Sequence, residues 1–275
     1  RRARFRAALR LHPQGDTSMS TKKTTEVEEV KDQLPSSMLA DMEQDAGRGF
    51  EDTTSDDYAI PFLSVANALS KALKTSSENH IPGLKQGHIY DDVAGRFYDD
   101  VTILPVFRQR QLVEWDDRKF VSRYPYDPEM LATTTKGPKG EDLLPNGNKL
   151  VDTFYMYALV VDSDGPRPVV ISFAKSGIRT YKKLMARSRR ITVQGKNGPF
   201  NPPLYSHTYV LGATEATSRD GDDYWTWQLR GEPEAVTDPD LYRTAKDLHD
   251  QVSTGERTAA APAEDNEPGN GADAI

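Results

Sequence analysis

The chain has 275 residues, 35 Lys plus Arg against 42 Asp plus Glu, a formal net charge of -7, 36% hydrophobic residues and no cysteine. The absence of cysteine excludes a disulfide scaffold, a thiol nucleophile and a thiolate zinc site. No apolar run approaches the 18 residues of a membrane span, and the low apolar content predicts one core of about 150 residues between polar ends.

Residues 1–18 carry five Arg and the single acid Asp16. An Arg-rich, acid-poor start fits a transit peptide. The run Met19-Ser20-Thr21-Lys22-Lys23 also has the form of an initiation site, and the reading preferred here starts the protein at Met19. From Met19 to Asp57 acids outnumber bases 11 to 4, which predicts an unpacked or loosely helical acidic segment. Residues 1–57 are thus set apart from a domain over 58–254. That domain is expected to open with a helix, because Asp56, Asp57 and Pro61 precede a stripe of Phe62, Val65, Ala66, Leu69 and Leu73.

Residues 81–100 read as a hairpin turning at 91–95. A long strand follows over 101–115, with Pro105 marking an edge or bulge, and a shorter strand over 120–124 pairs with its end. Residues 125–149 are loop. In the strand 153–161, Phe154, Met156, Ala158 and Val160 alternate with Tyr155, Tyr157 and Leu159, and the Asp162-Ser163-Asp164-Gly165 turn returns the chain as a strand over 167–173. A helix follows over 176–188, with Ser176 as N-cap and Ile178, Tyr181, Leu184 and Met185 as its packed side. A Gly/Pro loop leads to strands over 205–213 and 224–230, and a last helix from Asp238 or Pro239 to Val252 carries Leu241, Ala245, Leu248 and Val252 on one side. Residues 255–275, net -4 and rich in Ala, Pro and Gly, read as a disordered tail.

A long strand, a hairpin, a helix between strands three and four and a final hairpin is the element order of an OB-fold. The expected class is mainly β with flanking helices, an OB-like five-stranded barrel; a plain β-sandwich is the alternative.

Between Gly165 and Thr214 there is no acid, while Arg167, Lys175, Arg179, Lys182, Lys183, Arg187, Arg189, Arg190 and Lys196 are all basic. Concentrated positive potential in an acidic chain gathers polyanions, although a solvated helix face produces the same pattern. Capture of a single strand needs such a groove and exposed aromatic faces. The candidate DNA-binding set is therefore Arg108, Arg110, Tyr155, Tyr157, Lys175, Arg179, Lys182, Lys183, Arg187, Arg189, Arg190, Lys196, Tyr224 and Arg230. For each tyrosine, burial against a backbone carbonyl is the competing reading.

Catalytic patterns are sparse. His12, His80, His88, His207 and His249 show no zinc-binding spacing, and no phosphate-binding glycine loop or nucleophile elbow occurs. Asp99 and Asp100 before the long strand, with Glu114, Asp116, Asp117 and Lys119 after it, form a weaker candidate Mg²⁺ nuclease set. No cofactor is expected, and the default setting is the cytoplasm, that of a host cell if the protein is phage-encoded.

The block Pro203-Leu-Tyr-Ser-His-Thr-Tyr-Val-Leu-Gly212, then Tyr224-Trp-Thr-Trp-Gln-Leu229, resembles proteins of the replication regions of tailed bacteriophages. So do Asp45-Ala-Gly-Arg-Gly-Phe-Glu51 and Asp57-Tyr-Ala-Ile-Pro-Phe-Leu63. The resemblance runs from about residue 45 to 252 and implies a phage single-stranded DNA-binding protein of replication or recombination; the groove and stacking chemistry predicts binding without strong sequence specificity. The acidic tail is similar to tails with which bacterial single-stranded DNA-binding proteins recruit partners, implying phage or host replication proteins as partners; it lacks their final Pro-Phe. The alternative function is a virion or scaffold protein whose basic helix meets an acidic partner, with the Mg²⁺-dependent nuclease a third and weaker reading.

Overall fold

The computed structural model describes residues 35–46, 48–49, 59–91, 93–218 and 221–262. The leader, the Met19 start, most of the acidic segment and residues 263–275 lie outside the described residues. The chain divides into two compact units, Arg1–Asp52 and Thr53–Ile275. In the first unit the described element is α1, Ser36–Gln44, with no buried residue.

Among its described residues, the second unit does not open with the expected helix. Phe62–Val65 is a strand, β1, and Leu69 of the supposed helical stripe is 61% exposed. The stripe matched helical spacing, but Phe62, Leu63 and Ser64 are all buried, as in a strand covered on both faces. The hairpin then forms as expected from β2 (Ile89–Asp91) and β3 (Arg96–Tyr98). Asp91 shapes its turn by accepting from the Val93 and Ala94 N–H groups at 3.1 and 3.0 Å.

The long strand β4 spans Asp100–Asp116, and β5 (Lys119–Pro125) folds back on its end. Residues 125–149 contain short elements rather than loop alone: α2 (Pro128–Ala132, capped by Asp127), β6 (Thr135–Lys136) and β7 (Asp142–Leu143). Next come β8 (Lys149–Asp162), β9 (Gly165–Ala174) and α3 (Gly177–Arg190). The expected Gly/Pro loop holds a small separate hairpin of β10 (Val193–Gly195) and β11 (Gly198–Phe200). The strands β12 (His207–Thr217) and β13 (Asp223–Ala235) lead to α4 (Pro239–Ser253), whose cap Asp238 accepts from the Asp240 N–H at 2.8 Å.

The five core strands of the sequence reading are β4, β8, β9, β12 and β13, with α3 in the expected place, but they do not make a five-stranded barrel. That assignment is corrected by the sheet itself: eleven mixed strands, whose main path runs β13-β12-β4-β8-β9-β1-β2-β3 and curls into a half-barrel. The outer edge of β9 is taken by β1, which pairs with it in parallel at Phe62↔Val170 and Leu63↔Ile171. A segment read as an N-terminal helix thus occupies the edge that a five-stranded closure would need.

Both faces of the sheet are covered. On one face Val101, Ile103, Met156, Val160, Ile171 and Leu211 pack with Tyr181 and Leu184 of α3. On the other, Leu104, Val106, Tyr155, Tyr157, Leu159 and Val170 pack with Ala245, Leu248 and Val252 of α4. Burying each large apolar side chain contributes about 1.5–3 kcal/mol. The β4–β8 register shifts between Pro105 and Phe107, the bulge that Pro105 signalled. It turns Arg108 and Arg110 to the α3 side, opposite Met156 and Phe154 of β8.

The described C-terminal part is packed beyond the expected tail boundary at 255. Ala259 is buried and bridges to Ile60, with Ile60 N–H donating to the Thr258 carbonyl at 2.8 Å and Ala260 N–H to the Ile60 carbonyl at 2.9 Å. The Arg123 guanidinium donates to the carbonyls of Ala259 and Ala260 at 2.9 and 3.1 Å. No helix among the described residues is long and apolar enough to cross a membrane.

Candidate nucleic-acid interface

Helix α3 is fixed to the sheet by its buried side. Tyr181 stacks on Phe154 at 4.4 Å and leans on Phe173 at 5.8 Å between ring centroids. The Thr180 hydroxyl donates to the Trp227 carbonyl at 2.6 Å. Ser176 stands at the N-cap, yet its side chain makes no cap bond; its hydroxyl meets that of Thr226 at 3.0 Å.

The outward side carries Arg179, Lys182, Lys183, Ala186, Arg189 and Arg190, all exposed. Their spacing of three, one, three, three and one is that of one helix face, so five of six positions there are cationic. None of the five makes an ion pair among the described residues. Arg189 and Arg190 in the last turn complement the helix dipole, a sufficient structural reason for them. Arg179, Lys182 and Lys183 have no such reason. Arg179 lies in the first turn, where the dipole disfavours a cation by about 0.3–1 kcal/mol, while Lys182 and Lys183 lie mid-helix, where the dipole offers them no gain. A local rule broken without structural gain points to function.

The β10–β11 hairpin follows the cationic end of α3. The Asn201 side-chain amide donates to the Arg189 and Ile191 carbonyls at 3.0 and 2.8 Å and ties the hairpin to the helix end. Exposed Lys196 sits in its turn, so six cations without an ion pair among the described residues share the helix face and this hairpin. The hairpin went unread in the sequence although its signal was present: Gly-Lys-Asn-Gly between Val193-Gln194 and Pro199-Phe200, with Gly198 at a φ of 116°.

The other proposed residues are differently placed. Tyr155 and Tyr157 are 1% and 3% exposed, and burial under α4 and the Thr258–Ala260 segment raises both phenol pKa values. Neither offers a face to a base, which corrects their assignment as stacking platforms. Arg187 is half-buried, donating to the Gly231 carbonyl and facing the Glu232 carboxylate at 3.6 Å. Arg230 pairs with Asp100 at 2.6 Å across Gly212, where any Cβ would collide with both side chains.

Arg110 makes a two-pronged bond to Asp152 at 2.9 and 2.6 Å, and its guanidinium lies 3.4 Å from the centre of the Tyr126 ring. The Asp152 hydrogen bond is the main cause that raises its pKa above the ordinary arginine value. Arg167 is held by Asp162 at 2.9 and 2.6 Å. Lys175 adopts a φ of 46° in the turn before α3, and Tyr224 is half-buried on β13. Arg108 is exposed on β4 beside the Arg110 pair.

The acidic nuclease set is divided. Asp99 faces His88 at 3.3 Å and Asp100 holds Arg230 at one end of β4, whereas Glu114, Asp116 and Asp117 lie at the other, roughly 45 Å along an extended strand. Glu114 is buried and accepts from the Tyr124 hydroxyl at 2.6 Å and from the Asn146 and Asn148 amides at 3.0 and 2.6 Å. It anchors the loop before β8. Among the described residues no three His, Asp or Glu side chains are grouped to hold a metal ion.

Comparison with protein families matches residues 28–258 to the family described as Pam3 phage gp34-like protein. No curated protein and no solved structure matches the chain.

Proposed function

We propose, for a chain that belongs to the Pam3 phage gp34-like protein family, the function of a single-stranded DNA-binding protein of phage DNA replication or recombination. The observation that carries this reading is the outward face of α3, where Arg179, Lys182, Lys183, Arg189 and Arg190 are exposed and unpaired among the described residues. In a chain of net charge -7, this face and Lys196 concentrate the positive potential. With Tyr155 and Tyr157 inside the core, the sheet contributes little stacking and the phosphates become the principal ligand. Such binding tolerates any sequence and weakens with salt. Recruitment of a phage or host replication protein through Glu264, Asp265, Glu267 and Asp273 belongs to the same proposal.

The deciding experiment is titration of fluorescent poly-dT with the full chain at two salt concentrations. Tight capture at low salt that weakens steeply at high salt supports the reading. No capture by the folded protein would reassign the basic helix to an acidic protein partner.

A further inference from the structure

Two apolar side chains stand exposed at the end of α3, and neither belongs to a core. Val193 is 38% and Phe200 48% exposed, and they face one another across the β10–β11 ladder as a direct pair. The alternation of the hairpin puts Gly195 on the same side. The Phe200 ring covers Gly195 so closely that a Cβ there would meet ring atoms at 3.0 and 3.1 Å. The glycine supports the ring and fixes its tilt, leaving the rest of it to solvent. The hairpin cannot drift, because Asn201 bonds the last turn of α3 through two carbonyls. Cations precede the ring along the chain: Arg189 and Arg190 come before the hairpin and Lys196 occupies its turn.

A ring laid on a glycine, in a segment whose preceding cations make no ion pair among the described residues, suits a ligand with flat apolar faces joined by anionic links. A folded acidic protein surface fits less well, since it would bring charge without planar groups to cover Phe200. We infer that Phe200 is a base-stacking residue: it receives an unpaired nucleobase of the strand whose phosphates lie along α3, with Val193 as the floor beside it. This deepens, and rests on, the single-stranded DNA reading above. It gives the site a reason to prefer single strands, because in a duplex the bases are stacked on one another and unavailable to the ring.

The test uses the full chain with Phe200→Ala, Phe200→Leu and Phe200→Trp, each first checked for an unchanged melting temperature. Each is titrated at low salt and again at high salt with a fluorescent dT oligonucleotide and with an abasic oligonucleotide of equal length. Stacking predicts that Phe200→Ala loses roughly 5- to 150-fold in affinity for dT and little for the abasic strand. Phe200→Leu should not restore binding, whereas Phe200→Trp should restore it. An equal loss on both strands, full rescue by Leu, or no loss from Phe200→Ala while wild type still binds dT would overturn the stacking role alone. Failure of wild type to bind either strand at low salt, where phosphate contacts are strongest, would overturn the reading beneath it as well.

Discussion

The Asn67 side chain pairs with the backbone of Trp225 in both directions. Its Nδ2 donates to the Trp225 carbonyl at 3.1 Å and its Oδ1 accepts from the Trp225 N–H at 2.7 Å. The amide thereby reproduces a ladder pair at the free edge of β13 and joins it to the segment just after β1. Asn67→Ala leaves both Trp225 groups without these partners, at a cost of about 2 kcal/mol. For a unit of this size that is a drop in melting temperature of roughly 4–8 °C. Asn67→Asp, which keeps an acceptor and loses the donor, should be destabilising too. Thermal unfolding followed by circular dichroism measures both, and a change within about a degree for Asn67→Ala would remove this bridge from the account.

Glu114 gives a pH signature. The Tyr124 hydrogen bond, aided by Asn148 and Asn146, holds its carboxyl below the usual glutamate value despite burial. A folded-state pKa below the unfolded one contributes stability that is present above the unfolded value of ~4.3 and lost as pH falls through the folded value. Glu114→Gln should therefore be less stable than wild type at pH 7, by about 1–3 kcal/mol for hydrogen bonds to a charged group. The gap should narrow below about pH 4. Urea melts at pH 7 and pH 3.5 decide it, and an unchanged gap would show that the charge is irrelevant.

The C-terminal boundary can be tested by two truncations. A chain ending at Thr254 loses the Ile60–Ala259 bridge and both carbonyl partners of Arg123, and should melt several degrees lower. A chain ending at Pro262 keeps these contacts and removes Glu264, Asp265, Glu267 and Asp273. If those acids compete with DNA for α3, it should bind dT somewhat more tightly at low salt. Equal melting of the Thr254 truncation and wild type would contradict the structural role of residues 258–260.

The phosphate-binding role of α3 is tested by Arg179, Lys182, Lys183 and Arg190, each changed to Glu. Arg187 is left intact because its guanidinium holds Gly231 and faces Glu232. Glu at 179 favours the helix dipole and Glu at 190 opposes it by a similar amount, and all four side chains are exposed, so the fold should persist. If the four neutralise about three phosphates, the log–log salt slope should shallow by roughly 2, at ~0.7 per phosphate of a single strand. Affinity should be weak at low salt and converge on wild type as salt rises. A folded variant with unchanged slope would exclude the helix from the binding site.

What the sequence determined by itself was local. The alternation of β8, the turn at Asp162 and Gly165, the bulge at Pro105 and the helical spacing of α3 and α4 depend on neighbours a few residues apart, where side-chain period and turn chemistry act directly. The cationic face of α3 was legible for the same reason. Tertiary structure alone decided which edges meet and which faces are covered. Phe62, Val65 and Ala66 have helical spacing, but their segment becomes a strand because β9 offers an unpaired edge more than 100 residues away. Tyr155 and Tyr157 alternate correctly, yet only the docking of α4 on their face buries them. Arg110, Arg187 and Arg230 count as charges in the sequence and become ion-pair partners only when β8, β13 and β4 bring Asp152, Glu232 and Asp100 to them. Phe200 is the reverse case: an apolar residue left outside because its two-stranded hairpin joins no sheet that could cover it.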